Sequence, residues 1–271
     1  MMRKRVKIKK GYIMSELSTL TIESVTLPRV ICGTNALFGW SHVSAGRDAW
    51  LRRYYTPERV ARVFATCMEL GATAVMGPLY PPLVKALEET EKLTGQRPLW
   101  LSTTHASLGP DSTPDQARQI REVGAPICSI HGAWVDRWVL EDNWQALERC
   151  IAQIREAGLI PAAVCHYGDR LARLAEAGLD LPLLGTPVYK SGWWMHPDRE
   201  SALEVVRRIE RPLLAIKTLA CGRFEEHRVR EWLEWAVERE GVDAVAIGVM
   251  SEEEAQESIP ILQELLSQKF G

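Results

Sequence analysis

From residue 28 onward the chain alternates between two hydrophobic periods. Eight short, nearly unbroken apolar runs recur: RVICG (29–33), ATAVM (72–76), LWLST (99–103), PICSI (126–130), IPAAV (160–164), LPLLG (181–185), LLAIK (213–217) and AVAIG (244–248). Runs of this length with no polar alternation predict strands buried on both faces, as parallel strands are. Between them, apolar residues return every three or four positions, which predicts amphipathic helices of about three turns.

Local punctuation agrees with that division. In TPERVARVFATCMELG, Thr56 is placed to cap a helix and Pro57 suits the first helical position. In STPDQARQIREVG the same roles fall to Thr113 and Pro114. Gly71, Gly124, Gly158 and Gly178 each stand just before the next apolar run, where a left-handed residue closes a helix and turns the chain back. Near the end, Ser251 followed by Glu252, Glu253 and Glu254 predicts an N-cap with a capping box, its carboxylates suited to the positive end of a helix dipole.

Eight alternating strand and helix units imply parallel pairing and fit a single (β/α)8 TIM barrel over residues 21–271. An open doubly wound sheet is the rival, but no GxGxxG follows the first run. Residues 1–20 are set apart as a basic extension, with six Lys or Arg among the first ten residues. MMRKRVKIKKGY leads into no apolar signal core, so it predicts a disordered tail or a start placed upstream of the true one at Met14.

Charge and cysteine content narrow the function classes. A net charge of −2 and a pI near 6.3 give no general attraction for DNA or an acidic membrane face, so nucleic acid and membrane are excluded as expected partners. No apolar stretch reaches the roughly 20 residues that span a bilayer. Six cysteines without CxxC spacing predict reduced thiols and a cytoplasmic protein. Assembly into a homo-oligomer stays open, and the expected partner is a small-molecule substrate.

In a barrel of this kind the reactive groups stand at the carboxyl ends of the strands and on the loops that follow. Those positions hold Asn35 and His42 after the first run, Thr104 and His105 after the third, His131 and Asp136 after the fourth, and His166 and Tyr167 after the fifth. Tyr189, Lys190 and His196 follow the sixth run, and Lys217 ends the seventh. His131 and His166 end strands directly and are expected to converge over the barrel mouth. With Asp136 they offer a two-histidine, one-carboxylate set for a divalent metal, or an acid/base pair with an orienting carboxylate. Lys217 is placed to polarise a carbonyl or form a Schiff base, with an ordinary ion pair as the other reading. Asn35, His42, His105 and Tyr189 are candidate substrate contacts. The first loop carries Phe38, Trp40, Trp50, Tyr54 and Tyr55 and has the length of a lid.

The order of features resembles the aldo/keto reductases, NADPH-dependent (β/α)8 barrels. GATAVMGPLYPPLVKALEE is similar to that family's second strand and loop, with Tyr80 in the place of its proton-donating tyrosine. His131 matches its histidine at the end of strand four, and LLAIKTLACGR with AVAIGVMSEEEAQES is similar to its cofactor region. Met76 stands where the family has an aspartate, and Thr103, Thr104 and His105 stand where it has a lysine. The chain resembles more closely a group of uncharacterised barrel proteins distantly related to those reductases, through Gly33, Thr34, Asn35, Gly39, Ser41 and His42 and through Ile130, His131, Gly132 and Asp136.

The expectation is therefore an enzyme acting on a small oxygenated substrate, sugar-like or carbonyl-like, through His131, His166, Asp136 and Lys217. Isomerisation, carbon–carbon cleavage and hydrolysis are the expected reaction classes, with a divalent metal as candidate cofactor. One alternative is a divergent NADPH-dependent reductase using Tyr80 and His131. Another is a non-catalytic barrel that binds a ligand through its tryptophan-rich loops.

Overall fold

The computed structural model describes residues 18–224 and 228–271. Eight parallel strands close a barrel: β3 (Val30–Gly33), β4 (Ala74–Pro78), β5 (Leu99–Thr103), β6 (Ile127–Ile130), β7 (Ile160–Val164), β8 (Leu183–Pro187), β9 (Leu213–Ile216) and β10 (Ala244–Gly248). They neighbour one another in chain order, with β10 pairing both β9 and β3. All eight predicted runs are strands of this one barrel. β4 and β8 lie two residues further along than the apolar composition marks them, because Gly77–Pro78 and Thr186–Pro187 extend the pairing beyond the last aliphatic residue.

Side chains alternate along each strand between two cores. Ile31, Ala74, Leu101, Ile127, Ile160 and Leu214 point into the barrel, while Val30, Cys32, Val75, Cys128, Ile130 and Val245 pack outward under the helices. The strands read as continuous apolar runs because both faces are covered.

Two features escaped the sequence. An antiparallel hairpin, β1 (Thr19–Ile22) and β2 (Val25–Pro28), precedes the barrel and seals it with Ile22 and Leu27 packed among the inward residues. Thr19 and Leu20, assigned by sequence to the basic extension, therefore belong to this hairpin; residues 1–17, with the basic run and Met14, lie outside the described residues. The helical layer is also richer than one helix per strand. α1 (Ala45–Tyr54) forms inside the first loop, ahead of α2 (Pro57–Glu69), and α5 (Gly132–Leu140) starts directly after β6, ahead of α6 (Trp144–Glu156). The others are α3 (Pro81–Thr94), α4 (Thr113–Val123), α7 (Gly168–Glu176), α8 (Arg199–Arg208), α9 (Val229–Val237) and α10 (Glu252–Phe270).

Thr56 caps α2 by accepting from the Arg59 amide, and Gly71, Gly124, Gly158 and Gly178 all adopt positive φ. Thr113 does not cap α4: its hydroxyl donates to the Pro110 carbonyl at 2.6 Å, because a turn of 3₁₀ helix runs straight into α4. Ser251 caps α10 through the Glu254 amide, and the Glu254 carboxylate closes the box one residue early, on the Met250 amide at 2.7 Å. The six cysteines are free and five are buried. No described helix is long and apolar enough to cross a membrane.

Candidate active site

The strand ends and the loops above them enclose a cavity of about 620 Å³ at the C-terminal face of the barrel. Asn35, His42, His131, His166 and Lys217 line it, together with Thr34, Met76, Thr103, Thr218 and Arg223. Three of the predicted histidines thus meet in one place, brought there from β3, β6 and β7.

The firmest contact is between the fifth and fourth strand ends. Asp136, 7% exposed on α5, accepts from the His166 backbone amide at 2.9 Å through one oxygen and from His166 Nδ1 at 2.8 Å through the other. The Cys165 thiol adds a third contact to the first oxygen at 3.3 Å. Holding Nδ1–H on a carboxylate fixes the tautomer and leaves Nε2 as the basic nitrogen of His166, the orientation used wherever an imidazole moves a proton. The local fold is shaped for it. Gly132 opens α5 directly beneath the ring, where an added Cβ would collide with Cε1 and Nδ1 of His166.

His131 is built differently. Its backbone amide donates to Thr104 Oγ1 at 3.0 Å, and its Nδ1 accepts from the Ala133 amide at 3.1 Å, so the ring caps α5 and keeps its hydrogen on Nε2. Burial, with the neighbouring His166, His105 and Lys217, pushes its pKa down to about 4. His131 is a neutral donor over the cavity, while His166 is the acceptor.

Lys217 and His42 form a second pair, with Nζ and Nε2 3.0 Å apart. Both residues have positive φ, 59° and 58°, in the left-handed region that side-chain-bearing residues seldom occupy. Ala220 and Cys221 share it. Such conformations cost of order 1–3 kcal/mol each and gather at functional sites. The first loop is braced around His42 by Asp48, which accepts from the Ser41 amide and hydroxyl. Burial lowers the Lys217 pKa, and burial with the Lys217 charge brings His42 down to about 4. Among the described residues no carboxylate pairs with Lys217.

Trp194, which no pattern in the chain sets apart from its neighbours, covers this centre. Its ring lies 5.5 Å from His42, 6.0 Å from His166 and 5.4 Å from Lys217 Nζ. Arg223, also unforeseen, donates to the His42 carbonyl and lies over the Trp193 ring at 4.0 Å. A tryptophan pair and one arginine in a long loop carry no periodicity that marks them before folding.

Several predicted contacts fall elsewhere. Tyr80 stands just ahead of α3 and packs in an aromatic cluster with Phe38, Trp40 and His105, lining a separate groove against α3 and α4. His105 faces that groove, its Nδ1 accepting from the Ser107 amide at 3.3 Å. Tyr189 is fully buried in the outer core, since β8 runs two residues further than expected and carries it inward. His196 stacks on Tyr167 at 4.7 Å, away from the cavity lining. The metal set of His131, His166 and Asp136 is corrected too. Among the described residues no three His, Cys, Asp or Glu side chains are placed to hold an ion, and both Asp136 oxygens are committed to His166.

The cavity runs on toward the start of α10, past Arg47, Met250, Glu254 and Glu257. The Glu254 and Ala255 amides there are satisfied by Ser251, and the first turn carries Glu252, Glu253 and Glu254.

No protein-family model and no curated protein sequence matches the chain. Solved structures do. A candidate aldo-keto reductase from Pseudomonas aeruginosa superposes with a TM-score of 0.65 at 14% identity, covering 92% of this chain and 96% of its own. An aldo/keto reductase from Brucella melitensis gives 0.62 at 11%, covering 93% and 99%. A chain of the BexX/CysO complex of Amycolatopsis orientalis gives 0.53 at 16%, covering 93% of each. The chain thus shares the (β/α)8 barrel of the aldo-keto reductases, and at these identities the likeness is one of fold.

Proposed function

We propose that the chain is an enzyme of carbonyl chemistry, with Lys217 as the group that engages the carbonyl carbon of a small substrate and His166 as the proton carrier beside it. One observation carries this reading. A single cavity holds a half-buried amine with no carboxylate partner among the described residues and, beneath the same tryptophan, an imidazole whose Nδ1–H is fixed on a buried carboxylate. A desolvated lysine is a nucleophile toward aldehydes and ketones. Its free amine adds to the carbonyl carbon, and protonation of the hydroxyl formed releases water and leaves a C=N bond to Nζ. His166 Nε2 takes up and returns the protons, while His131 Nε2–H donates to the substrate oxygen. The positive C=N group then withdraws electrons from the neighbouring carbon, which is what isomerisation or carbon–carbon cleavage requires. Borohydride added with a panel of small aldehydes and ketones tests it. A mass increase on the Lys217 peptide, absent in Lys217→Met, is expected; no labelling across the panel, or labelling retained in Lys217→Met, would overturn it.

A second reading, nicotinamide-dependent reduction of a carbonyl, is favoured by the fold shared with proteins described as aldo-keto reductases. The residues present do not fit NADPH. Met76 and Thr103 line the cavity where an aspartate and a lysine would be expected, Tyr80 packs outside it, and the start of α10 presents three carboxylates. No step is derived through that cofactor.

A further inference from the structure

The reactive end of the cavity has an unbalanced charge. Lys217 and Arg223 both line it, and both act on His42 and Cys221, which places the two cations around the same imidazole and thiol. Arg223 spends its guanidinium on a neutral carbonyl, that of His42, and on the face of Trp193. Among the described residues neither cation has a carboxylate partner. The acidic groups of the lining, Glu254 and Glu257, belong to the far end beside Arg47, Asp136 is committed to His166, and Asp48, which acts on His42, is taken up by the Ser41 amide and hydroxyl. Among the described residues the two cations meet no free carboxylate over this partly desolvated pocket, an arrangement that a bound anion would complement. Arg223 also offers the planar fork that recognises carboxylate or phosphate, exposed at the rim where a ligand enters.

From this arrangement we infer that the substrate is an anionic carbonyl compound, a small oxo acid whose carboxylate is held by Arg223 while its carbonyl meets Lys217. The inference rests on the carbonyl reading above for the placement of the reacting carbon, but the anion site stands on the two cations themselves. A phosphorylated carbonyl shares the same chemistry, and the experiment separates the two.

Calorimetric titration of the full chain with oxamate, a carboxylate that cannot form a C=N bond with Lys217, reads the anion site alone. Oxamate is expected to bind, oxamide, its neutral isostere, is not, and Arg223→Gln is expected to weaken oxamate about tenfold, as does raised salt. Inorganic phosphate binding more tightly than oxamate supports the anion site and moves the assignment to a phosphorylated substrate. Oxamate binding no better than oxamide overturns the inference. Arg223 is exposed, so its substitution leaves the packed core intact. Borohydride labelling is run beside it with pyruvate and with acetone. Wild type is expected to prefer pyruvate by at least about tenfold in half-labelling concentration, a preference that shrinks toward equality in Arg223→Gln. Equal labelling by acetone and pyruvate with no oxamate binding sinks the anion site and leaves the carbonyl reading standing. Oxamate binding without labelling by any carbonyl does the reverse.

Discussion

At the scale of single residues, the centre depends on how closely α5 approaches β7. Gly132 has no Cβ, so the first turn of α5 lies against the His166 ring and Asp136 reaches both its backbone amide and its Nδ1. Gly132→Ala is expected to push that ring off its carboxylate. The predicted outcome is a fall of about tenfold or more in borohydride labelling of Lys217, because small misplacements of catalytic groups are costly. Overpacking should lower stability by about 1–3 kcal/mol, and thermal melting separates the two effects. The histidines give a pH dependence of known sign. His42 and His131 titrate near 4 in the folded protein, whereas an unfolded histidine titrates near 6.5. Between those values the unfolded chain binds more protons, so stability is full above pH 6.5 and falls as pH drops toward 4. Melting temperatures across that window should decline, and His131→Gln should flatten part of the slope. Which histidines matter was only partly legible. His131 and His166 end strands and were recognisable on that ground, whereas His105 and Tyr189 sit at similar sequence positions and are turned aside by a 3₁₀ turn and a longer strand.

At the scale of elements, the barrel strands were readable because burial on both faces removes polar residues from them, and the helix ends were readable because a positive φ calls for glycine. What the pattern could not show was an element whose apolar face is short. The hairpin β1–β2 buries little beyond Ile22 and Leu27, and its outward residues Thr19, Thr21, Glu23 and Thr26 are polar, so no periodic run rises above its surroundings. It nevertheless closes the barrel end opposite the cavity and contacts residues from several strands. Leu27→Ala is therefore expected to cost about 2–4 kcal/mol through the cavity it leaves, measured by urea denaturation. Because the hairpin and the cavity lie at opposite ends, oxamate affinity should be unchanged in that variant. α1 escaped for a similar reason. It is a polar helix with Leu51 as its buried residue, held by Ser44 at its N-cap rather than by an apolar stripe.

At the scale of the whole molecule, fold and charge point in different directions, and the conflict is open to measurement. The barrel superposes on aldo-keto reductases along almost its full length. The stretch that resembles those reductases' cofactor region includes the start of α10, at one end of the cavity. There, Glu252, Glu253 and Glu254 add negative charge to a helix terminus whose Glu254 amide is already taken by Ser251. Arg47 is the cation of that end of the cavity lining, and its guanidinium is turned to the Met250 sulfur at 3.6 Å. A helix N-terminus attracts phosphate when its amides are free and its first turn is uncharged; three carboxylates reverse the field that would otherwise help. Titration of the protein with NADPH, followed by cofactor fluorescence, is accordingly expected to show no binding below millimolar concentration. Replacing Glu252, Glu253 and Glu254 together by glutamine should strengthen any residual affinity if charge is the cause, since Arg47 would then face the phosphate without opposition. Micromolar NADPH binding by the unaltered chain would mean that the cofactor takes another path through the barrel mouth, and would restore the reductase reading at the expense of Lys217.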